Sequence, residues 1–422
     1  LSYLESKGIR ADFLDRQVER SKKVNYADYD IVGFSVSVNN VKNSLKSATD
    51  VKKMNPTAQV VFGGPFATAY PEALIKNEHV DAVVVGEGEE TFFEYVGGAE
   101  KSRIQGLYSK ENGSIQFAGA RAWNQDLNSL PFPAIHRLDL TRYNVLSAQR
   151  SPTSSIITSR GCPYQCAFCF HNMGHEWRER SPENVVDEIE WQVNKLGVRE
   201  ISIADDNFSF NRARAAKIFD EILKRNIKVS FNFGVGVRAD RLDRELLGKA
   251  YAAGVWLLTI APETGSAKTL KKLNKQFKLE DFKKILRTAK EIGMATDIFL
   301  MVGFPWETDE DTRATLKLAE DLDPDCLSIH HFISFPSTGL SSGNQEIDLG
   351  KIGDNSYEAD LHSHDKKLHR TLASFRGRYY LSRFKHFRKS RRLDLLMKIV
   401  QPQTLKYLSK ICLEKFQHQP QE

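Results

Sequence analysis

Little in this sequence suggests a secreted or membrane protein. Only five cysteines are spread over 422 residues, too few for a disulfide framework, and three of them (Cys162, Cys166, Cys169) crowd into one short stretch. No apolar run approaches the roughly 20 residues that span a bilayer, and the N-terminus lacks the basic and apolar segments of a secretory signal. A cytoplasmic protein without a transmembrane segment is therefore expected. Repeats and low-complexity tracts are absent too, which excludes solenoids, propellers and fibrous arrays. Acid is almost missing from one region: Lys366 to Lys398 holds a dozen Lys and Arg against the single Asp394, while the whole chain carries only +6. Such a stretch attracts nucleic acid or anionic lipid, or is simply a solvated helical face. The chain opens on Leu1 rather than Met, and its first residues read as the end of a helix already under way, as in a fragment.

What is present falls into two α/β runs. Residues 30–37, 59–62 and 81–85 read as buried parallel strands, with a helix between the first two whose Val41, Leu45, Ala48 and Val51 share a face. Each of these strands ends in small residues: Ser35, then Gly63 and Gly64, then Gly86 and Gly88. Ligands of open α/β sheets bind outside the carboxyl ends of the strands, where glycine admits a bulky group to the backbone. From 101 to 150 the periodicity weakens, as in a linker with a small hairpin. The second run then begins. Strands at 154–158, 199–204, 227–233, 255–261, 295–302 and 326–333 alternate with helices, among them one opened by Ser181-Pro182-Glu183 and one over 279–292. Six parallel strands suit a partial (β/α) barrel with its site at the C-terminal strand ends.

The cysteines sit in the loop directly after the first of these strands. Three thiolates can hold three irons of a [4Fe–4S] cluster and leave the fourth open to a ligand. The alternative is a zinc site completed by His171 or His175, against which stands the crowding of three cysteines into one loop. The run Cys162-Pro-Tyr-Gln-Cys166-Ala-Phe168-Cys169 resembles the signature of the radical S-adenosylmethionine (SAM) superfamily, including the aromatic before the third cysteine. The resemblance implies that SAM chelates the fourth iron and is cleaved to a 5′-deoxyadenosyl radical. It also implies roles at successive strand ends: Asp205 and Asp206 toward the SAM ammonium, Arg238 toward its carboxylate, Glu263 toward the ribose hydroxyls, and Gly303, within Met301–Thr308, beside the adenine. For Asp205 and Asp206 the alternative is a helix-capping turn.

Residues 1–100 resemble the cobalamin-binding domain that precedes the barrel in the B12-binding subgroup, through Val-Gly-Phe-Ser, Val-Phe-Gly-Gly-Pro and Val-Val-Gly-Glu-Gly-Glu-Glu-Thr. Ser35, Gly63, Gly64, Gly86 and Gly88 would then face the corrinoid. The family's first strand is missing from this N-terminally truncated domain, and no Asp-x-His-x-x-Gly segment offers a histidine to cobalt. The fold class expected is α/β: a flavodoxin/Rossmann-like domain over 1–100, a linker over 101–150, a partial (β/α)6 radical SAM barrel over 151–340 and a basic helical region over 341–422. The resemblance implies a [4Fe–4S] cluster, SAM and cobalamin as cofactors, a reducing partner such as flavodoxin or ferredoxin, and methyl transfer to an unactivated centre of a small molecule, lipid-like or tetrapyrrole among the candidates. Rival readings are an oxidoreductase or cyclase of the anaerobic tetrapyrrole type, and a membrane- or RNA-associated binding protein. No nucleic-acid partner is expected, because no RNA-binding module is appended. His330 and His331 end the sixth strand and read equally as core or cavity residues; His362, His364 and His369 read as solvated, Cys326 and Cys412 as isolated small hydrophobes, and Tyr379-Tyr380 as packing residues.

Overall fold

The computed structural model describes residues 1–19, 22–111, 113–143, 148–334, 338–340, 349 and 366–390. His362, His364 and Cys412 lie outside the described residues.

The first sheet is ordered β1 (Ile31–Ser35), β2 (Gln59–Gly63), β3 (Ala82–Val84), β4 (Leu107–Glu111) and β5 (Ser114–Phe117). The first three strands are parallel, with Ser35 in register with Gly63, and the last two add an antiparallel hairpin on the β3 edge. Right-handed crossovers demand a helix on the sheet face, and the helix Val41–Met54 supplies it by burying Val41, Ala48 and Val51. Val60, Phe62 and Val83 lie in the same core. The segment after Gly64 holds two one-turn helices, Pro65–Ala69 and Pro71–Ile75, each opened by proline at its first position. Five residues are too few to show a helical period.

The second sheet begins with β6 (Thr153–Ile156). A two-stranded neck follows, β7 (Ser159–Arg160) antiparallel to β8 (Arg178–Glu179), and the cysteine loop hangs from it. Then come β9 (Glu200–Ile203), β10 (Ser230–Phe233), β11 (Val255–Glu263), β12 (Ala295–Val302) and β13 (Cys326–His331). The order β13-β12-β11-β10-β9-β6 is parallel throughout. This is the partial barrel the strand count implied. Strands alternate their side chains between faces: Ile201, Ile203, Phe231, Phe233, Ile298, Leu300 and Val302 enter the main apolar core, which leaves Glu200, Ser202, Asn232, Thr259 and Asp297 on the concave side. Each fully buried Phe or Ile contributes about 1.5–3 kcal/mol.

The local rules are obeyed where they were legible. Ser181 caps the helix Pro182–Leu196 by accepting from Asn184 N at 3.1 Å. Thr308 and Asp311 form a reciprocal capping box on Asp309–Leu322. At the N-terminal end of the barrel the buried Glu200 carboxylate accepts from Gln149 N (2.7 Å), Arg150 N (2.9 Å), Asn232 Nδ2 (2.8 Å) and Trp256 Nε1 (3.0 Å). That satisfied acid closes the floor and leaves chemistry to the other end.

The basic helix Lys366–Ser390 lies along β13. Leu372, Phe375 and Tyr379 enter the main core, Tyr380 Oη donates to Leu327 O at 3.0 Å and Arg376 to Ile329 O at 2.7 Å. Its apolar face is thus packed on the barrel, and both tyrosines pack, as expected. No helix among the described residues is long and apolar enough to cross a membrane.

Candidate active site at the facing strand ends

The loop bearing the cysteines is gripped from several sides. Cys162 N donates to Gly174 O (3.2 Å), Ala167 N to Leu273 O (2.9 Å), and Cys169 N to Cys166 O (3.0 Å). Asn274 Nδ2 reaches Gln165 O at 2.9 Å. Tyr164, between the first two cysteines, is covered by the Arg238 guanidinium 3.6 Å from its ring centroid, and its hydroxyl accepts from Arg241 at 2.9 Å. A guanidinium over an aromatic face is attractive, so the loop's outer arm is held by the end of β10. Asn207 Nδ2 stands 3.8 Å from Cys162 Sγ, and Asn207 Oδ1 is buried without a partner among the described residues.

All three cysteines are free and partly exposed. Burial pushes their thiols up, Cys169 to about 12, where the neighbouring Cys166 and Cys162 add to the effect. Near Cys166, Lys275 and Arg238 pull the other way. Thiolates here need a cationic partner, as metal binding provides. Among the described residues no three His, Cys, Asp or Glu side chains are gathered as ligands of a single ion, and the His171 and His175 rings lie against each other, centroids 4.0 Å apart and tilted by 33°. The donor set fits a larger group: three sulfurs from one loop, a carboxamide beside the first, and an orphaned carbonyl oxygen in the wall.

The strand ends place the other candidates unevenly. Asp205 is fully buried and committed: it accepts from Thr158 N, Thr158 Oγ1 and Ser159 Oγ, each at 2.6 Å. Burial nevertheless raises its pKa. It fastens β9 to the turn between β6 and β7. Among the described residues Asp206 accepts only from Gly161 N, at 3.2 Å, and it lies within electrostatic reach of Cys162, so it is the carboxylate turned to the cysteine loop. Arg238 pairs with Asp240 (2.9 Å) and donates to Gln276 O (2.6 Å).

Glu263 ends β11 with φ +66° after a break in the β11–β12 register. A non-glycine residue in that region costs of order 1–3 kcal/mol and collects at functional sites. Its buried carboxylate pairs with Lys275, whose Nζ also donates to Ala261 O at 2.6 Å and stands 5.8 Å from the Phe168 ring centroid. Phe168 packs in turn on Leu273, Phe304 and Phe332, the last two stacked at 4.4 Å. Gly303 begins the turn after β12, and Glu307 Oε2 accepts from Gly303 N (2.9 Å) and Phe304 N (3.3 Å). His330 meets the Phe299 ring edge-on at 5.7 Å, and His331 stands beside Gly303. Sequence reasoning missed Lys275 and Asn274, while Asn207 stood only as the third polar residue of Asp205-Asp206-Asn207 and Glu307 only within Met301–Thr308.

On the first sheet, Ser35 is exposed at the end of β1 and Gly63 ends β2 beside it. Gly64 has φ +96°, and a Cβ there would lie 3.0 Å from Val36 O and 3.2 Å from Ser35 Oγ. The three make a strand-end ledge without bulky side chains, which fits a broad flat ligand. Gly86 N donates to Thr68 Oγ1 at 3.0 Å, and a Cβ on Gly86 would lie 3.6 Å from the Trp123 ring. Gly88 lies against Val84.

Comparison with known proteins agrees with this layout. The Radical SAM superfamily model matches residues 156–319, and the B12 binding domain model matches residues 1–96. An uncharacterized methyltransferase of Pyrococcus horikoshii is 31% identical over 76% of this chain and 70% of its own length. Cytidylyl-2-hydroxyethylphosphonate methyltransferase of Streptomyces wedmorensis is 28% identical over 69% of this chain and 62% of its own length. The anaerobic magnesium-protoporphyrin IX monomethyl ester cyclase of Rubrivivax gelatinosus is 26% identical over 76% and 59%. This chain therefore spans less than two thirds of the latter two. Among solved structures, the radical S-adenosylmethionine methyltransferase TsrM of Kitasatospora setae, with cobalamin and a [4Fe–4S] cluster bound, superposes with a TM-score of 0.66 at 20% identity. The match covers 80% of this chain and 69% of that one, a likeness of fold.

Proposed function

Since the chain belongs to the radical SAM superfamily and carries a B12-binding domain ahead of the barrel, we propose that it is a cobalamin-dependent methyltransferase acting on an unactivated centre of a small molecule. One observation carries the reading: the β7–β8 neck that bears the three-cysteine loop is joined to the glycine-flanked end of β3, where Glu87 accepts from Arg160 and Arg178, so the cysteine loop and the first sheet are tied at their strand ends. We take the cobalamin-binding unit to run from residue 1 through the β4–β5 hairpin, the barrel to occupy 151–340, and the basic helical region to follow.

Cys162, Cys166 and Cys169 would hold three irons of the cluster. Asp206 offers its carboxylate to the SAM ammonium, and Arg238 lies where a carboxylate would meet it. Glu263 accepts from ribose hydroxyls, with Lys275 keeping its charge balanced, and Phe168 and the Gly303 turn flank the adenine. Ser35, Gly63, Gly64, Gly86 and Gly88 would line the corrinoid site. Bound to these residues, the cluster would supply an electron to the sulfonium of SAM and the corrin a methyl carrier. The protein's share is to position the groups, exclude water and keep the cysteine loop rigid. No side chain is assigned as a general acid or base. A flavodoxin or ferredoxin in the cytoplasm suits the reducing step.

A second reading keeps the cofactors and changes the outcome to ring formation, favoured by the similarity to the cyclase of Rubrivivax gelatinosus. The test is anaerobic reconstitution with iron, sulfide and hydroxocobalamin, then reduction with methyl-labelled SAM and candidate substrates. Methyl transfer gives S-adenosylhomocysteine together with 5′-deoxyadenosine and a labelled product. Ring formation gives 5′-deoxyadenosine without label in the product, and no 5′-deoxyadenosine at all contradicts both.

A further inference from the structure

The two-stranded neck that carries the cysteine loop contains an electrostatic conflict. Arg160 on β7 and Arg178 on β8 are direct register partners, and like charges placed opposite each other across a strand pair repel. Neither β7 nor β8 supplies the charge that settles them. It comes from the first domain: Glu87, between Gly86 and Gly88 at the end of β3, accepts from Arg160 Nη1 at 2.8 Å, from Arg178 Nη1 at 2.8 and 3.0 Å, and from Asn124 N at 2.8 Å. The side chains of Glu87 and Arg178 are only 7% and 2% exposed. Glu89 takes the remaining arm of Arg160 at 2.7 Å.

A wedge completes the joint. The Trp123 ring fills the space between Gly86 and Gly174: a Cβ on Gly174 would come within 2.8 Å of it, and Arg178 stacks 5.2 Å from its centroid. Arg178 Nη2 also holds Met173 O at 2.9 Å, inside the cysteine loop.

We propose that Glu87 is a positioning residue: one carboxylate from the first domain bridges the arginine pair at the neck and so fixes the cysteine loop relative to the candidate corrin ledge. The joint itself follows from the described chain. Its purpose, holding two cofactors at a set separation, rests on the cobalamin reading above.

Buried charges that lose their partner are left uncompensated, and local opening is read directly by amide exchange. The test is hydrogen–deuterium exchange on the full chain without added cofactors, comparing wild type with Glu87→Gln, Glu87→Asp and Glu89→Gln. In Glu87→Gln the amides of 159–160 and 174–179 should exchange about tenfold faster, with those of β1 and β2 unchanged. Glu87→Asp keeps the charge in a different shape and should return exchange to within about threefold of wild type, whereas a packing role would rank the isosteric glutamine as the better substitute. Glu89→Gln should leave the neck protected. Unchanged neck exchange in Glu87→Gln, or a uniform rise across the first sheet, overturns the proposal. Should Glu87→Gln fail to fold, the double variant Glu87→Gln with Arg178→Gln reads the same joint: it removes one of the paired charges along with the carboxylate and should fold, and a double variant as unfolded as the single one contradicts the proposal. Because no cofactor is present, these outcomes are independent of whether the chain transfers methyl groups.

Discussion

At the end of the second sheet the cysteine loop is gripped by side chains, whereas at the end of the first sheet the candidate slot is almost entirely backbone. Arg238 covers Tyr164, Asn274 holds Gln165 O, and Lys275 pairs with Glu263 within electrostatic reach of Cys166. Ser35, Gly63 and Gly64 offer only a ledge. The difference follows from what each ligand would need. A cluster and a charged nucleotide are held by thiolates, ion pairs and aromatic faces, while a large corrinoid needs room and close backbone approach. It also predicts how each region fails: the first through loss of a specific group, the second through gain of bulk.

The largest effect should come from removing a sulfur. Cys166→Ala is expected to abolish both the iron–sulfur absorbance and 5′-deoxyadenosine formation, with cobalamin binding by the first domain retained. Loss of cobalamin binding in the same variant would break the separation of the two regions. Lys275→Met comes next, because both members of the Lys275–Glu263 pair are about one tenth exposed. Stranding the carboxylate should cost about 3 kcal/mol in denaturant unfolding and weaken SAM binding in calorimetry.

On the first sheet, Gly64→Val adds bulk at a φ of +96°. It should cost of order 1–3 kcal/mol and suppress cobalamin uptake, measured by the retained corrin absorbance after desalting, while iron content stays at the wild-type level. The smallest effect is on pH dependence at the joint between the two. Burial pushes Glu87 up, but hydrogen bonds from Arg160, Asn124 and Arg178 outweigh it and hold its carboxyl below the ordinary value of 4.5. A depressed folded-state pKa contributes stability above the unfolded value and loses it as pH falls through the folded one. Trp123 fluorescence, read against the Trp123→Phe variant, should therefore stay constant from neutrality down to about pH 5 and change only below the usual glutamate range. A transition near neutrality would contradict that sign.

The same contrast explains what was legible in the sequence. Strand ends and the cysteine spacing were readable because strands declare themselves by apolar runs and thiols by their rarity. Asp205 and Asp206 were not separable: adjacent and alike, they are sorted only by the turn that follows β9, which commits the first to Thr158 and Ser159 and turns the second toward the cysteines. The neck of β7 and β8 has two residues a side and thus no period to detect. Lys275 comes from a short connection between helices, and Trp123 from a segment read as linker; both act through tertiary contacts across long stretches of chain. The hairpin within 101–150 was visible as a hairpin, but its pairing with β3 was not, because attachment to a sheet edge leaves no mark in composition.

The most direct test concerns the iron left without a cysteine. In anaerobically reconstituted protein reduced with dithionite, the electron paramagnetic resonance signal of the cluster should change on adding SAM, and 5′-deoxyadenosine should follow. A chain that takes up a single zinc, or a reduced cluster whose signal is indifferent to SAM, would contradict the assignment.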